Sequence, residues 1–385
     1  MKITKSMNIL HLTHTDINFD SRILKEMQSI AKSNNTFTVS GIGVIRNEAV
    51  EYKNNVDNIS IYSIVLRTRK WKFLPEIARH ICSFFELSIK VTLKSHKLRP
   101  DVIHCNDNLL LPIAVIIKLI TSAKLIYDAH ELESNKNGIT EVFGKFILYT
   151  EKKAWNFIDA LIVVSPSIEK WYYKNIGKKD SEVVLNSPIF EKGANVNDST
   201  YLRDHFSIEE DSRIFLYIGI LVTGRGIDLV TDAFKQHDLK SSLVFLGQGE
   251  LSDELKVLSQ KHANIYVHDA VPHRQVVAVA KSADVGLCLI QNVSLSDYYC
   301  LPNKLFEYCF AGVPVLASEF PDISQVVTKY NLGKCCKLDS DSVYKAIQEL
   351  ENMNELPKVN IENLYDLSWG AQEDKLIKLY KKLIQ

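Results

Sequence analysis

The sequence predicts an α/β fold in two domains, each built on a parallel sheet. Short apolar stretches alternate with amphipathic helical stretches, which is the pattern of parallel strands joined by crossover helices. The alternation occurs twice, and residues 186–212, which carry proline, glycine, asparagine and acidic residues, interrupt it. A chain of 385 residues with 46% hydrophobic residues can bury two cores. We therefore predict two Rossmann-like β/α/β domains.

Each predicted strand is a short apolar stretch that ends in turn residues or polar residues. In the first half, strands are predicted at 7–13, 36–44, 59–65, 101–105, 124–127, 159–164 and 182–185. In the second half, they are predicted at 213–219, 243–247, 264–267, 284–290 and 313–317. Apolar residues at helical spacing predict helices at 108–121, 141–157, 166–176, 251–261, 273–281, 303–310, 322–329, 340–352 and 367–385.

Charge and cysteine content narrow the class of protein. Residues 1–190 hold 26 Lys+Arg against 19 Asp+Glu and residues 191–385 hold 20 against 27, so we expect the first half to meet something anionic. Seven cysteines without CxxC spacing predict reduced thiols in a cytoplasm. No run approaches 18 apolar residues and residues 1–6 are polar, which predicts neither a transmembrane helix nor a signal peptide. No cluster of metal ligands stands out, so no metal is expected.

The most informative stretch is 297–318, which reads DYYCLPNKLFEYCFAGVPVLAS. Pro302 suits the first turn of a helix, and Gly312 suits its C-terminal cap. Within the predicted helix, Lys304 and Glu307 lie one turn apart. A helix N-terminus with a lysine attracts phosphate, and a carboxylate one turn further on can hold a ribose diol. The alternative is an ordinary helix with one solvated Lys–Glu pair.

The segment LPNKLFEYCFAGVPVLAS resembles the signature of GT-B glycosyltransferases of family 4, in the variant found in bacterial polysaccharide transferases. The resemblance implies that Glu307 binds the ribose of a nucleotide-sugar donor, with Asn303 and Leu305 beside it on the helix. The family usually has a second glutamate, eight positions before the first, that reaches the donor sugar. This sequence has Tyr299 there.

Two glycine-rich turns follow predicted strands of the second half. Residues 219–226 (GILVTGRG) lie between a strand and a helix, so backbone N–H groups near Gly224 can approach phosphate and Arg225 can pair with it. The resembling family has a basic pair here for the diphosphate. Arg225 matches its second member, and Ile220 replaces the first. Gly249 lies in the second turn, at the same end of the predicted sheet.

The first half places polar residues after two strands. His14, Asp20 and Arg22 follow the first strand, where open α/β sheets bind ligands. The alternative is a helix cap at Asp20 or Ser21 with one surface ion pair. In the resembling family this loop faces the acceptor. The segment KLIYDAHELES resembles the family segment whose histidine lies near the donor sugar, which implies a role for His130 at the reaction centre.

Residues 67–99 are basic and amphipathic, with nine Lys/Arg, two Glu and interleaved aromatic residues. This composition predicts a helix at an anionic membrane surface. The alternatives are an amphipathic helix that packs on the sheet and, less favoured, a nucleic-acid contact. No recognised nucleic-acid module accompanies the charge, so no nucleic-acid partner is expected.

The resemblance implies the GT-B architecture, two Rossmann-like domains facing a central cleft. Residues 1–186 would bind the acceptor, with helix 371–385 packing back on them, and residues 187–370 would bind the donor. The implied enzyme is a metal-independent retaining glycosyltransferase without a cofactor. It would move a sugar from a UDP- or GDP-sugar to a hydroxyl of a lipid-linked or polysaccharide acceptor, in capsule or O-antigen synthesis at the cytoplasmic membrane.

Three residues, His130, Arg225 and Lys304, are the expected catalytic groups. Two other functions stay open at this point. One is a non-catalytic homologue that binds nucleotide or glycan as a partner subunit, which the replacements at Tyr299 and Ile220 favour. The other, less favoured, is a sugar-nucleotide 2-epimerase of the same fold.

Overall fold

A computed structural model describes residues 6–45, 52–56, 59–189, 200–236 and 238–384. The chain divides into two compact units, Met1–Val184 with Glu373–Gln385, and Leu185–Gln372. These limits lie two residues from the expected ones, 186 and 371. The C-terminal residues belong to the first unit, and unit 1 and unit 2 denote these two parts below.

Unit 1 contains an eight-stranded sheet with the order β3-β4-β2-β1-β5-β6-β7-β8. The pairs are parallel except β3 with β4, which is antiparallel. The strands are β1 Met7–Leu12, β2 Phe37–Ile45, β3 Tyr52–Val56, β4 Ile59–Val65, β5 Val102–Cys105, β6 Lys124–Ala129, β7 Ala160–Val163 and β8 Ser181–Val183. The helices are α1 Ser21–Ser33, α2 Glu76–Leu98, α3 Leu111–Thr121, α4 Glu141–Ala154 and α5 Pro166–Asn175.

Unit 2 contains a six-stranded parallel sheet with the order β11-β10-β9-β12-β13-β14. Its strands are β9 Ile214–Ile218, β10 Ser242–Leu246, β11 Ile265–His268, β12 Val285–Cys288, β13 Val315–Ser318 and β14 Gly333–Cys336. Its helices are α6 Tyr201–Phe206, α7 Ile227–Gln236, α8 Ser252–Ser259, α9 His273–Ala280, α10 Leu295–Tyr298, α11 Asn303–Ala311, α12 Pro321–Lys329 and α13 Ser340–Asn352. The last helix, α14 Trp369–Ile384, begins in unit 2 and ends in unit 1.

Strand order reverses once in each sheet. In unit 1 the chain runs from β1 outward through β2 to β4, and then from β5 outward through β6 and β7 to β8. In unit 2 the same reversal falls between β9 and β12. Open parallel sheets bind ligands at this point, beyond the carboxyl ends of the two central strands, because the loops there diverge and leave a crevice.

Tyr308 fixes α11 against the sheet of unit 2. Its ring packs on Gly286 of β12, where an added Cβ would lie 2.3 Å from the ring. Its hydroxyl donates to the Leu216 carbonyl at 2.7 Å and accepts the Ile218 N–H at 2.9 Å. Gly312, with φ of 78°, ends the helix as the sequence predicts. The position of α11 is therefore set by bonds to β9.

Several elements differ from the sequence prediction. Residues 67–99 form a 3-10 turn, Arg67–Lys70, and a helix that begins only at Glu76, because Pro75 precedes it. Strand β3 was not predicted, since its sequence YKNNV is polar and it lies at a sheet edge. Short elements α6, α10 and β14 were also missed, and α6 lies inside the predicted linker. Residues 190–199 of that linker and residues 1–5 of the predicted polar start lie outside the described residues.

In the described part of the chain, no helix is long and apolar enough to cross a membrane. All seven cysteines are free thiols.

Candidate functional site

The crevice of unit 2 is formed by two glycine turns in direct backbone contact. The turn after β9 and the turn after β10 are joined by Leu221 N–H to Gln248 O at 3.1 Å and Leu251 N–H to Leu221 O at 3.0 Å. A Cβ on Gly247 would lie 1.9 Å from the Gly219 carbonyl oxygen, and one on Gly249 would lie 2.4 Å from that of Leu221. Gly249 thus permits the close approach of two loops at the ligand-binding end of the sheet.

Lys304 lies at this crevice with a buried ammonium group. Its Nζ is 3.7 Å from the centroid of the Tyr217 ring and has no hydrogen-bond partner among the described residues. Burial lowers the pKa of Lys304 to about 8, and the nearby Arg225 lowers it as well. An unpaired buried cation is costly, so this position favours an anionic ligand.

Glu307 lies one turn after Lys304 and is also buried. Its Oε1 lies 3.5 Å from Nδ1 of His273, a half-exposed residue at the start of α9. Asn303 is exposed at the first turn of α11, whereas Leu305 is fully buried in the core. Leu305 therefore supports the helix from inside, and Asn303 and the free N–H groups of the first turn are the parts open to a ligand.

Arg225 has a partner that sequence analysis missed. Its Nη1 lies 3.1 Å from Oδ1 of Asp297, and the other oxygen of that carboxylate, Oδ2, accepts a 2.6 Å hydrogen bond from the Ser294 hydroxyl. Gly224, with φ of 80°, shapes the loop before it and lines a groove of about 540 Å³ between α7 and α8. Arg225 thus lies beside the buried Lys304, but its charge is shared with a carboxylate.

The two replacements relative to the resembling family have different surroundings. Tyr299 is half-buried, with its ring centroid 5.4 Å from that of Tyr298. Ile220 is exposed in the turn after β9. An apolar side chain therefore occupies the position where the family has a cation.

In unit 1, His14 and Asp107 meet at the reversal between β1 and β5. The Asp107 carboxylate lies 2.8 Å from His14 Nδ1 and accepts the His14 N–H at 2.8 Å. The hydrogen bond to Asp107 raises the pKa of His14, although burial opposes it. Asp107 follows β5 in the sequence HCND, a polar run after a strand that could have identified it.

Asp20 and Arg22 differ in role from the expected acceptor contacts. Asp20 is the N-cap of α1 and accepts the N–H groups of Arg22 and Ile23 at 3.1 Å each. The guanidinium of Arg22 is buried, and it donates to both oxygens of Asp128 and to the Val184 carbonyl. Arg22 therefore stabilises the interior of unit 1, and its charge is not presented to solvent.

His130 is held by the same buried carboxylate. Its Nε2 lies 3.2 Å from Oδ2 of Asp128, and 23% of its side chain is exposed. Burial lowers the pKa of His130, but the Asp128 carboxylate outweighs burial and the net shift is upward. Asp128 itself is fully buried, and Arg22 and His130 hold its pKa well below the usual range. The Asp128 carboxylate therefore favours the protonated form of His130 and holds the orientation of its ring.

Behind this pair lie three more buried polar residues. His11 and His104 stack at 4.3 Å between ring centroids, on adjacent strands in register. His104 Nδ1 lies 2.8 Å from the Tyr380 hydroxyl of α14, so the last helix also contacts the cluster. Burial raises the pKa of Glu26 to about 8, although Arg22 opposes it.

The ligand atoms of His11, Glu26 and His104 all lie within 4.8 Å of one another, a grouping that could hold a metal ion. Two contacts disfavour it. The Nε of Arg22 lies 3.0 Å from Glu26 Oε1, so the Arg22 guanidinium already contacts this side chain. The Tyr380 hydroxyl already contacts His104. These residues fit an internal network of ion pairs and hydrogen bonds better than a metal site.

Part of unit 2 is similar to a known protein family. Residues 198–366 match the family model described as glycosyl transferases group 1. The chain is 24% identical over 257 residues to chitobiosyldiphosphodolichol beta-mannosyltransferase of Candida albicans, covering 60% of this chain and 55% of the relative. It is 22% identical over 239 residues to the putative teichuronic acid biosynthesis glycosyltransferase TuaC of Bacillus subtilis, covering 62% and 58%. The chain thus spans little more than half the length of these relatives.

Solved structures show the fold. Sucrose-phosphate synthase of Thermosynechococcus elongatus has a TM-score of 0.79 at 16% identity and covers 98% of this chain and 99% of its own. HepE of Anabaena, solved in complex with UDP and glucose, has a TM-score of 0.71 at 13% identity and covers 98% and 100%. The fold is therefore the GT-B fold of two Rossmann-like domains.

The buried Glu26 predicts how stability depends on pH. Its pKa is raised in the folded chain, so its contribution is complete below the unfolded value of 4.5 and is lost as pH rises toward about 8. Between pH 6.5 and 8 this term lowers the free energy of unfolding by about 1 kcal/mol per pH unit on average, because the slope declines as the pH approaches the pKa. His130 and His14, with raised pKa values, act in the same direction, while His11 and His104, with lowered ones, titrate below this window.

Glu26→Gln should flatten this slope by about 1 kcal/mol per pH unit in urea unfolding followed at pH 6.5, 7.25 and 8. The control is Glu131→Gln, which changes an exposed glutamate of the same unit. An identical slope in the wild type and Glu26→Gln would show that Glu26 is ionised in the folded chain.

Proposed function

We propose that this protein is a retaining glycosyltransferase. It moves a sugar from a UDP- or GDP-sugar to a hydroxyl of a lipid-linked or polysaccharide acceptor, in bacterial surface glycan synthesis such as capsule or O-antigen assembly. Unit 2 binds the donor and unit 1 the acceptor. The observation that carries the proposal is the buried ammonium of Lys304 beside the glycine turns, which has no hydrogen-bond partner among the described residues, with Glu307 one turn further along α11.

The donor assignment follows from the charges and shapes in the unit 2 crevice. The diphosphate meets Lys304, Arg225 and the free N–H groups at the start of α11, where a helix N-terminus attracts anions. Glu307 accepts hydrogen bonds from the ribose hydroxyls. HepE was solved in complex with UDP and glucose, which supports a nucleotide-sugar donor of this kind for the present chain.

Catalysis depends mainly on stabilising the leaving nucleoside diphosphate. The bond from the sugar C1 to the phosphate oxygen breaks, and negative charge develops on that oxygen. Lys304 and Arg225 stabilise it in a site from which water is largely excluded. The sugar passes through an oxocarbenium-like state, and the acceptor hydroxyl attacks the face that the diphosphate leaves, while its proton passes to the departing phosphate oxygen. His130, oriented by Asp128, acts beside the sugar.

We propose that no metal or other cofactor takes part, because the cations of the chain serve the diphosphate directly. The protein would act in the cytoplasm, with peripheral contact of residues 67–99 to the anionic inner face of the membrane. A membrane location suits a lipid-linked acceptor. The names of the mannosyltransferase and TuaC relatives, one with a dolichol-linked substrate and one in teichuronic acid synthesis, support acceptors of this class.

Three features of unit 2 favour a second candidate, a non-catalytic nucleotide- or glycan-binding subunit. Asp297 already pairs with Arg225, Ile220 removes the other family cation, and Tyr299 removes the second glutamate. Such a protein would still bind nucleotide but would transfer no sugar. Donor binding without turnover in any acceptor mixture would favour it.

The donor site is tested by thermal shift with UDP, GDP, CMP, ADP and their common sugar conjugates. A ligand at 100 times its dissociation constant should stabilise the protein by about 2.7 kcal/mol. Glu307→Gln should weaken binding of the active nucleotide by about 10- to 100-fold, because hydrogen bonds to the carboxylate are lost. Glu362→Gln, at an exposed position of unit 2, is the matched control. Equal nucleotide affinity in wild type and Glu307→Gln would remove the ribose assignment.

The role of His130 is tested separately from binding. His130→Ala should lower kcat by about 100-fold or more, while nucleotide affinity stays within about twofold, since the effect of a group at the reaction centre falls on turnover. Turnover is measured with the donor that the thermal-shift panel identifies. His262→Ala serves as the control histidine. Full activity of His130→Ala would place the reaction centre elsewhere.

Lys304 predicts a pH dependence of donor binding. Its pKa of about 8 in the empty site means that the ammonium is lost above this pH, so donor affinity should fall by up to about tenfold per pH unit between pH 8 and 9.5. Lys304→Arg should show a flatter profile, because arginine stays charged. Calorimetric titration at pH 7, 8, 9 and 9.5 measures both. Parallel profiles would show that Lys304 does not contact the diphosphate.

A further inference from the structure

Exposed apolar side chains are concentrated on three helices of unit 1. Among the described residues, 22 large hydrophobic side chains are exposed, 17 of them in unit 1 and 12 on α2, α3 and α4. The 12 are Ile77, Ile81, Phe85, Ile89, Leu93, Ile116, Leu119, Ile120, Val142, Phe143, Phe146 and Tyr149. An apolar surface of this extent marks a binding face.

The three helices form one continuous face. Helix α2 packs against α3, and α3 packs against α4. On α2 the exposed residues recur at every fourth position from Ile77 to Leu93, which places them in one ridge along the helix. The sequence indicated only the α2 part of this face, because the patterns of α3 and α4 are typical of ordinary amphipathic crossover helices. We call the surface formed by the 12 side chains the apolar face.

A lysine pocket lies at the end of this ridge. Its volume is about 490 Å³, and Leu93 of the apolar face is one of its lining residues. The charged residues that line it are all lysines, namely Lys53, Lys90, Lys94 and Lys97, and Tyr62, Ser63 and Ile64 of β4 complete its lining. A concave site with several cations and an apolar edge is complementary to an anionic amphiphile.

The ammonium groups converge on one aromatic ring. Lys94 Nζ lies 3.9 Å from the Tyr62 ring centroid, and Lys53 Nζ lies 5.4 Å from it. The two cations are therefore separated by less than about one Debye length at 0.1 M salt, so their fields add. A phosphate between them would interact with both.

One of the four lysines is already neutralised. Lys90 lies 3.1 Å from Glu86 and donates to the Val65 carbonyl at 2.7 Å. Lys94 and Lys97 form no ion pair with any carboxylate in the described part of the chain. The pocket therefore keeps net positive charge available to a ligand.

We propose that the lysine pocket binds the phosphate headgroup of an anionic lipid while the apolar face lies against the bilayer. This inference extends the membrane contact proposed above for residues 67–99, and it does not depend on glycosyl transfer. Helices α2, α3 and α4 carry eight Lys/Arg and four Glu, one of which, Glu151, is fully buried. Their balance of charge thus complements a negative surface.

A second copy of the chain fits this surface less well. In a twofold symmetric dimer the same patch lies on both subunits, which would bring two lysine pockets to one interface. Like charges close together oppose such a contact. An anionic bilayer supplies both the apolar layer and the missing negative charge.

Vesicle binding tests the proposal with the full chain. Binding to phosphatidylcholine vesicles with about 20% phosphatidic acid is compared with binding to phosphatidylcholine alone. The Lys94→Ser/Lys97→Ser variant should bind the anionic vesicles about 30-fold more weakly, with unchanged thermal stability. The control Lys170→Ser/Lys174→Ser removes two exposed lysines of α5 and should bind like the wild type. Lys53→Ser, on a different element, should weaken binding in the same direction.

Variants of the apolar face show whether the bound phosphate belongs to a lipid or to a soluble molecule. Phe85→Ser/Ile89→Ser should weaken vesicle binding and leave binding of soluble glycerol 3-phosphate unchanged. If vesicle binding is equal in the wild type, in Lys94→Ser/Lys97→Ser and in Phe85→Ser/Ile89→Ser, the proposal fails. It also fails if glycerol 3-phosphate binds as tightly as the vesicles, because the ligand is then a soluble phosphate. Sedimentation velocity that shows a dimer lost in Phe85→Ser/Ile89→Ser, without vesicle binding, would assign the face to a second copy.

Discussion

Both crevices depend on one constraint, that a charged group taken out of water must find a partner of opposite charge. In unit 1 the constraint is met inside the protein, where Asp128 is held by Arg22 and His130. In unit 2 it is met only in part, because Asp297 pairs with Arg225 and Lys304 keeps a buried ammonium without a hydrogen-bond partner. The difference separates a preformed scaffold from a site that awaits an anion. It also explains why the side chain that most favours an anionic ligand, Lys304, lies on α11.

The sheets bring these charges together by their topology. Each sheet reverses its strand order once, and the loops at that reversal carry the polar residues, His14 and Asp107 in unit 1 and the glycine turns in unit 2. The backbones of the two turns approach closely at Gly247 and Gly249 because neither position carries a side chain. Tyr308 then fixes α11 through hydrogen bonds to the β9 backbone. The positions of the turns and of α11 therefore rest on main-chain packing as much as on side chains.

The outer surface of unit 1 adds a second kind of constraint. Twelve exposed apolar side chains on α2, α3 and α4 would be costly to keep in water. In the lysine pocket beside them, no carboxylate of the described residues pairs with Lys94 or Lys97. A glycosyltransferase that uses a lipid-linked acceptor must work at a membrane. The proposed lipid contact and the proposed transfer reaction are thus consistent with each other, although each rests on different residues.

The sequence by itself determined the α/β class, the two β/α series, the strand-to-helix glycine turns and the helix that carries Lys304 and Glu307, because periodicity and turn chemistry are local properties. It also marked His130 through resemblance to a family. Only the tertiary structure decided which groups meet. Pairing of Arg225 with Asp297, of Arg22 with Asp128 and of His104 with Tyr380 joins residues that are 72, 106 and 276 positions apart. No local pattern records such pairs, and burial, which turns Arg22 inward and places the Lys304 ammonium over the Tyr217 ring, is a property of the packed chain.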